Sequence, residues 1–539
     1  MDNKTKTPWC ILVLLGIILL WAGCGTTETS RVGHTLGAQS IAFMMPAERS
    51  ASAAVPQKPD PQSYAGFTYM EVPLDFTQAL AIKNDDTDAL FYRAMSYYYL
   101  KDYDGAIGDY TALLRINPNH VAAYNNRGLA YSMKKDYDRA IADYTQAIRL
   151  NPNLAEAYNN RGIAYYNKGD YDWAIADYTL AIRLNPNDAA AYYNRGVTYG
   201  DKKDYDWAIA DYTQAIRLNP NLAEAYYNRG IAYYNKRDYD RAIADFTQAI
   251  RLNPNDAEAY LNRGNTYYNK GDYDQAIVDF TQAIKINPND AEAYLNRGNA
   301  YYNKGNYDQA IADYTLAIRL NPDLAEAYLN RGNAYSNKKD YDRAIADYTQ
   351  AIRINPNLAV AYLNQGVAYS NKKDYDRAIA DYTQAIRINP NLAVAYYNRG
   401  LVYANKQDYD QAIADYHQVI RINPNLAEAY LNRGVAYDNK GDYDQAITDY
   451  HQVIRINPNL VEAYLNRGAA YRNKGDYDWA IADYTLAIRL NPDLVEAYYN
   501  RGNAYYYTKD YDQAIDDYTQ AIRINPNLAV AYYNRGLVY

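Results

Sequence analysis

Cysteine is almost absent from the chain. It occurs only at Cys10 and Cys24 among 539 residues, which excludes a disulfide framework or a cysteine-ligated metal site beyond residue 24. An excess of positive charge is also missing, because 63 acidic residues outnumber 55 basic ones and the net charge is −8. This balance argues against nucleic acid as a partner, since its phosphates attract a basic surface.

Recognised catalytic motifs are missing as well. The sequence contains no Gly-x-Ser-x-Gly, no His-Glu-x-x-His, no phosphate-binding loop and no dinucleotide fingerprint. Of its four histidines, His417 and His451 are 34 residues apart and replace a threonine, which indicates neutral substitutions rather than a metal site. We therefore predict that the protein is not an enzyme and that it holds no metal or cofactor.

The first 24 residues are typical of an export signal. Lys4 and Lys6 precede an apolar run over residues 11–20, which is followed by small residues and Cys24. This end resembles a bacterial lipoprotein signal, and the resemblance implies a lipid anchor at Cys24 and a place in the cell envelope, facing the periplasm or the exterior. The alternative is a single transmembrane anchor formed by the uncharged residues 8–24.

The following stretch, residues 25–66, is rich in small polar residues and contains several prolines. It shows no sustained hydrophobic period, so we predict a flexible tether with a reach of about 35 Å. Such a tether would hold the folded part of the chain away from a membrane surface.

Proline recurs every 34 residues through the rest of the chain, and this period predicts an array of repeats rather than separate domains. Thirteen complete units occupy residues 85–526. A partial, degenerate unit occupies residues 67–84, and residues 527–539 form the first helix of an incomplete one. The prolines that mark the period are Pro118, Pro152, Pro186, Pro220, Pro254, Pro288, Pro322, Pro356, Pro390, Pro424, Pro458, Pro492 and Pro526.

Each unit predicts two helices, such as those over residues 153–168 and 172–184. Asn153 and Glu156 are spaced as in a capping box, and Gly169 suits the left-handed end of the first helix. The recurring proline ends the second helix. Small residues opposite tyrosines allow the two helices to pack closely.

A set of small and aromatic residues recurs at fixed positions of the unit. In residues 153–186 it consists of Tyr158, Gly162, Tyr165, Ala174, Tyr178, Ala181 and Pro186. With these residues at its signature positions, the unit resembles the tetratricopeptide repeat (TPR). The resemblance implies an all-α fold, an α-solenoid whose stacked helix-turn-helix units form a right-handed superhelix with the first helices lining an inner groove. It also implies a non-enzymatic scaffold that binds proteins or peptide segments.

A systematic departure from the family concerns the residue before the signature glycine. It is arginine here, as at Arg161, where the family commonly has leucine, and Gln365 is the exception. Each unit also carries an aspartate in the middle of its second helix, as at Asp177. We predict an ion-pair ladder between the helices, with two solvated rows of charge as the alternative.

An asparagine two residues before the signature glycine is predicted to lie in the groove. A carboxamide donates and accepts hydrogen bonds at once, so a row of them can hold an extended peptide backbone. The row resembles the asparagine ladder in the TPR superhelix of O-linked N-acetylglucosamine transferase; the alternative is a neutral residue copied by duplication. The predicted peptide-binding residues are Asn126, Asn160, Asn194, Asn228, Asn262, Asn296, Asn330, Asn364, Asn398, Asn432, Asn466 and Asn500, and Asn534 continues the row.

The other predicted groove positions carry glutamate, tyrosine or apolar residues instead of the lysine and arginine of a carboxylate clamp. They suit neutral or basic extended segments. We therefore predict a scaffold in the cell envelope that binds proteins or extended peptides. A structural spacer or self-assembling envelope component is one alternative, and the regulatory subunit of an envelope enzyme complex is another.

Overall fold

A computed structural model describes residues 72–539, which fold into 28 α-helices; no strand occurs in this part of the chain. The all-α prediction is confirmed. The described residues divide into two compact units, residues 72–306 and residues 307–539. The predicted signal, the tether, Cys24 and the start of the partial repeat lie outside the described residues.

The first unit holds fourteen helices of ten or more residues. They are α1 Val72–Ile82, α2 Thr87–Tyr99, α3 Tyr103–Ile116, α4 Val121–Met133, α5 Tyr137–Leu150, α6 Ala155–Lys168, α7 Tyr171–Leu184, α8 Ala189–Asp201, α9 Tyr205–Leu218, α10 Ala223–Asn235, α11 Tyr239–Leu252, α12 Ala257–Lys270, α13 Tyr273–Ile286 and α14 Ala291–Asn303.

The second unit holds fourteen helices of the same kind. They are α15 Tyr307–Leu320, α16 Ala325–Asn337, α17 Tyr341–Ile354, α18 Ala359–Asn371, α19 Tyr375–Ile388, α20 Ala393–Asn405, α21 Tyr409–Ile422, α22 Ala427–Lys440, α23 Tyr443–Ile456, α24 Val461–Lys474, α25 Tyr477–Leu490, α26 Val495–Tyr507, α27 Tyr511–Ile524 and α28 Ala529–Val538.

Even-numbered helices are the first helices of the repeats, and odd-numbered helices are the second helices. Within each unit every helix packs against the next one in the chain. The helix bounds agree with the sequence prediction to within two residues, as in α6 and α7. Gly169 has φ +84° and ends α6 in the left-handed conformation, as predicted.

The predicted capping box at Asn153 and Glu156 is wrong. The residue before α6 is Leu154, whose side chain makes no capping bond in the described chain. The Asn151 carboxamide instead accepts a hydrogen bond from the Asn153 amide at 3.2 Å, and Glu156 accepts one from Asn125 of the preceding repeat at 3.2 Å. The Glu156 carboxylate therefore bonds a side chain of the preceding repeat instead of a backbone amide at the start of its own helix.

In most repeats the core is a tyrosine or phenylalanine ring laid over a glycine, and the first complete repeat has Ala94 in place of the glycine. A Cβ atom on Gly162 would stand 2.7 Å from Cε1 of Tyr178, a ring that is fully buried. Ala157, Ala164 and Ala174 are also completely buried, because only methyl groups fit where the helices cross. Tyrosine thus supplies much of the buried aromatic surface.

Candidate functional site

Within each unit, the first helices of successive repeats contact one another, for example α10 with α12 and α22 with α24. The surface along which they meet is here called the first-helix face. Its positions are those equivalent to Glu156, Asn159, Asn160, Ile163 and Tyr166 of α6. These residues recur at helical spacing along one side of the helix.

The predicted asparagine row lies on this face. Four members, Asn126, Asn160, Asn194 and Asn262, are less than a tenth exposed. The remaining members are partly buried. The first group is thus packed between helices and the second is still accessible to solvent.

Most of the row is bonded to the preceding repeat. The partner is the residue 35 positions earlier, on the first helix of the preceding repeat. Where that residue is asparagine or tyrosine, the row carboxamide donates a hydrogen bond to its side chain. The bonds are Asn160 to Asn125 Oδ1 at 3.2 Å, Asn194 to Asn159 Oδ1 at 3.2 Å, Asn228 to Tyr193 Oη at 3.0 Å, Asn262 to Tyr227 Oη at 2.7 Å, Asn432 to Tyr397 Oη at 2.8 Å and Asn534 to Tyr499 Oη at 3.2 Å.

Where the residue 35 positions earlier is leucine, it offers no acceptor, and some row carboxamides donate instead to the residue 31 positions earlier. Asn296 follows Leu261 and donates to Asn265 Oδ1 at 3.1 Å, one turn further along the preceding helix. Asn364 donates to Asn333 in the same way at 2.8 Å. These amides join neighbouring repeats and therefore have a structural role.

Two members of the row have no side-chain hydrogen bond to any described residue: Asn398 in α20 and Asn466 in α24. In both cases the preceding helix carries only apolar partners, Leu363 and Val367 before Asn398, and Leu431 and Val435 before Asn466. Both asparagines are partly exposed. Their carboxamides thus differ from the rest of the row in having no side-chain partner among the described residues.

In most repeats a second asparagine follows seven residues after the row residue, and its side chain is bonded mainly to its own helix. Asn167 donates to the Ile163 carbonyl at 2.8 Å, and Asn439 donates to the Val435 carbonyl at 2.8 Å. Asn269 bonds both the Asn265 carbonyl and Tyr234 Oη of the preceding repeat. The sequence pattern gives the face of these residues but not their partners.

Several carboxylates on or beside this face are partly buried. Glu156 accepts from Asn125, and burial raises its pKa. Asp201 accepts a hydrogen bond from Tyr166 Oη at 2.6 Å, and burial raises its pKa too. Burial raises the pKa of Asp438 to about 6, with Asn473 and Arg472 opposing the shift.

The predicted arginine–aspartate ladder is present. Arg161 donates from Nε and Nη2 to both oxygens of Asp177, at 2.7 and 2.8 Å, and its Nη1 donates to Thr145 Oγ1 at 3.0 Å. One guanidinium therefore joins α5, α6 and α7. The guanidinium also lies 5.7 Å from the centre of the Tyr158 ring. The bidentate, mostly buried geometry favours the ladder over solvated rows of charge.

The ladder is interrupted at Gln365. Its amide donates to Thr349 Oγ1 at 2.7 Å and to the Ile345 carbonyl at 3.2 Å, but it leaves Asp381 without a guanidinium. The Asp381 Oδ2 atom is buried and has no hydrogen-bond partner among the described residues. Burial raises the pKa of Asp381 to about 7, and Arg377 only partly opposes this shift.

The two histidines that share a repeat position contact different partners. His417 Nδ1 lies 3.1 Å from Nη1 of Arg433, where other repeats use the threonine hydroxyl. His451 Nδ1 lies 2.8 Å from the Ile447 carbonyl. Within residues 72–539, no group of three or more His, Cys, Asp or Glu side chains is placed to hold a metal ion.

Sequence reasoning did not single out Asp438, Arg472 and Tyr484. Asp438 and Arg472 occupy the same position in successive repeats, where most other repeats carry tyrosine, serine, alanine or glycine. Two charged residues at a position that is otherwise uncharged could have marked these two repeats in the sequence. The buried tyrosine beside them, Tyr484, looks like every other core tyrosine in the sequence, so only the structure distinguishes it.

Across the described residues, no helix has the length and apolar character needed to cross a membrane. Among curated protein sequences, the comparison found no match.

Three solved structures illustrate what the chain is similar to. YrrB, a TPR protein with an unusual peptide-binding site, is 25% identical, with 35% of this chain and 97% of that chain covered and a TM-score of 0.33. MamA from Desulfovibrio magneticus RS-1 is 25% identical, with 31% and 94% covered and a TM-score of 0.30. The C-terminal part of a TPR repeat-containing protein from Cytophaga hutchinsonii is 22% identical, with 44% and 97% covered and a TM-score of 0.40.

Sequence models of one repeat family match most of the chain. Models described as "TPR repeat" and "Tetratricopeptide repeat" match residues 87–120, 246–278, 264–305 and 298–339. A further "Tetratricopeptide repeat" model matches residues 121–154, 155–188, 189–222, 223–256, 325–358, 359–392, 393–426, 427–460, 461–494 and 495–528. Together with the stacked helix pairs, these matches show that the chain belongs to the tetratricopeptide repeat family.

Proposed function

We propose that this protein is a non-enzymatic scaffold that binds an extended peptide segment of another protein on its first-helix face. The TPR fold is generally a scaffold for protein–protein interaction. The observation that carries the proposal is the pair Asn398 and Asn466, whose carboxamides have no partner in the described chain although most of the row is bonded internally. An amide exposed in this way can donate to a peptide carbonyl and accept from a peptide amide.

Only two members of the predicted asparagine row are proposed to contact the ligand. Asn160, Asn194 and Asn262 are buried and bonded to the preceding repeat, so they hold the face in shape. Asn398 and Asn466 lie two repeats apart in the second unit and contact the ligand directly. The binding stretch is therefore the part of the face formed by α20, α22 and α24.

The test compares two double variants of the full chain in detergent on an array of short peptides. We expect Asn398→Ala with Asn466→Ala to weaken the strongest peptide signals about tenfold, the loss of roughly one hydrogen bond. The matched control is Asn391→Ala with Asn459→Ala, which removes two exposed loop carboxamides seven residues earlier. Equal binding by both double variants would contradict a role for the row.

We also propose that the scaffold is held in the cell envelope by a lipid on Cys24. The support is the cationic start, the apolar run and the small residues before the cysteine. The mass of the N-terminal peptide from the mature protein tests this directly. A lipid-modified Cys24 at the N-terminus is the expected result, and an unmodified Cys24 within a longer peptide would contradict it.

A further inference from the structure

Away from the first-helix face, the carboxylates of the second unit are largely paired. The aspartates of the ladder bind arginine, as in Asp449 with Arg433 at 2.7 Å. The aspartates at the start of the second helices bind a lysine of the next repeat, as in Asp444 with Lys474 at 2.8 Å. The chain thus supplies a cation for most of its acidic groups on these surfaces.

The first-helix face of α22, α24 and α26 is different. It carries Glu428, Asp438, Glu462 and Glu496, and none of them forms an ion pair with a described residue. The single cation on this stretch of the described chain is Arg472. Its guanidinium donates to the side-chain oxygens of Asn500 at 2.9 Å and Asn473 at 3.3 Å, not to a carboxylate.

Two buried polar atoms, one in this stretch and one beside it in α25, also have no hydrogen-bond partner within the described residues. One is Oδ1 of Asp438 and the other is the hydroxyl of Tyr484, a side chain that is 0% exposed. The charged groups around that hydroxyl are Arg472, Glu496, Asp483 and Asp438, of which Asp483 is paired with Arg467. Within residues 72–539, two buried polar atoms lack a hydrogen-bond partner, and the carboxylates of the same stretch lack an ion pair. Together they point to a site that an external donor completes.

We propose that this stretch binds a segment rich in lysine or arginine, whose cationic groups pair with Glu428, Asp438, Glu462 and Glu496. The inference rests on the proposed function and names the chemistry of its partner. Successive helices lie about 10 Å apart, and an extended chain advances about 3.3 Å per residue, so a basic residue at about every third position matches the spacing. Asn466 on α24 then bonds the backbone between these side chains, and Asn398 on the neighbouring α20 bonds it beyond Glu428.

The experiment measures the fluorescence anisotropy of labelled peptides with the full chain in detergent. Three peptides of about 12 residues are compared, built from Lys-Ala-Ser, Gln-Ala-Ser or Glu-Ala-Ser triplets. The lysine peptide is expected to bind at least about tenfold more tightly than the glutamine peptide, and to lose affinity as ionic strength rises.

The variant that tests the location is Glu428→Gln with Glu462→Gln and Glu496→Gln, which should weaken the lysine peptide about tenfold. Its control makes the same change in net charge on second helices α25 and α27, where three exposed aspartates have no ion-pair partner in the described chain. The control substitutions are Asp478→Asn, Asp512→Asn and Asp516→Asn, and they should leave affinity within about twofold.

Equal loss in the two triple variants would overturn the inference, because net charge alone would then explain binding. Equal affinity for the lysine and glutamine peptides would also overturn it, while leaving the proposed peptide-binding function in place. If none of the three peptides binds, both the inference and the peptide-binding function fail.

Discussion

At the scale of single residues, the array is most informative where one residue departs from the repeat. Gln365 stands where the other complete repeats carry arginine, and its amide satisfies Thr349 but not Asp381. An aspartate with a raised pKa binds a proton more tightly when folded than when unfolded, so the folded state loses stability as pH rises. For Asp381 this loss extends from about pH 4 to about pH 7.

The first prediction follows from that interruption. Gln365→Arg should restore the bidentate pair with Asp381, slow hydrogen exchange in α18 and α19, and stabilise them by about 1 kcal/mol near neutral pH. The gain should shrink toward pH 4, where Asp381 is protonated in the parent. Asp381→Asn serves as the control, because it removes the titrating group without adding an arginine. An unchanged exchange rate in both variants at neutral pH would contradict the account.

At the scale of the element, the helix pair depends on a missing side chain. Tyr178 lies so close to Gly162 that any Cβ atom would collide with its ring. Gly108 in α3 is also helical, but a Cβ atom there would meet nothing within 4 Å. Gly162 is therefore required by packing, whereas Gly108 is not.

The second prediction compares these glycines. Gly162→Ala should destabilise the α6–α7 pair by about 1–3 kcal/mol, because the added methyl group overpacks the crossing. Gly108→Ala should stabilise α3 by about 0.5–1 kcal/mol, since alanine is the better helix former. Urea unfolding followed by circular dichroism measures both. A similar effect of the two substitutions would show that helix propensity, rather than the ring contact, governs the site.

The elements were largely predictable from the sequence, and the partners of polar side chains were not. The period, the helix bounds, the glycine–tyrosine contact and the ladder of Arg161 with Asp177 all follow from spacing within one repeat. The capping box failed because Glu156 bonds Asn125 of the preceding repeat, a contact between units that the local pattern does not contain. The carboxamide partners escaped prediction for the same reason.

At the scale of the whole molecule, each described unit behaves as a nearly one-dimensional stack. A helix contacts the helices before and after it, and first helices also touch the next first helix. In such arrays stability is approximately a sum of repeat terms and nearest-neighbour terms. The guanidinium that joins three successive helices is the repeated nearest-neighbour contact, as in Arg433 with Asp449.

The third prediction belongs to this scale. Arg433→Gln copies the natural interruption into another repeat and leaves Asp449 unpaired. Hydrogen exchange should accelerate in α21, α22 and α23 and remain unchanged in α17 and α18, because the coupling passes only between neighbours. A uniform acceleration across the second unit would contradict nearest-neighbour stability.

A peptide ligand is expected to lie on the first-helix face of the second unit. The most direct measurement is photo-cross-linking of the lysine peptide, carrying a benzophenone in place of one alanine, followed by mass spectrometry of the labelled chain. We predict cross-links in the first helices α20, α22, α24 and α26. Cross-links concentrated in the second helices α21, α23 and α25 would contradict the first-helix face as the binding surface.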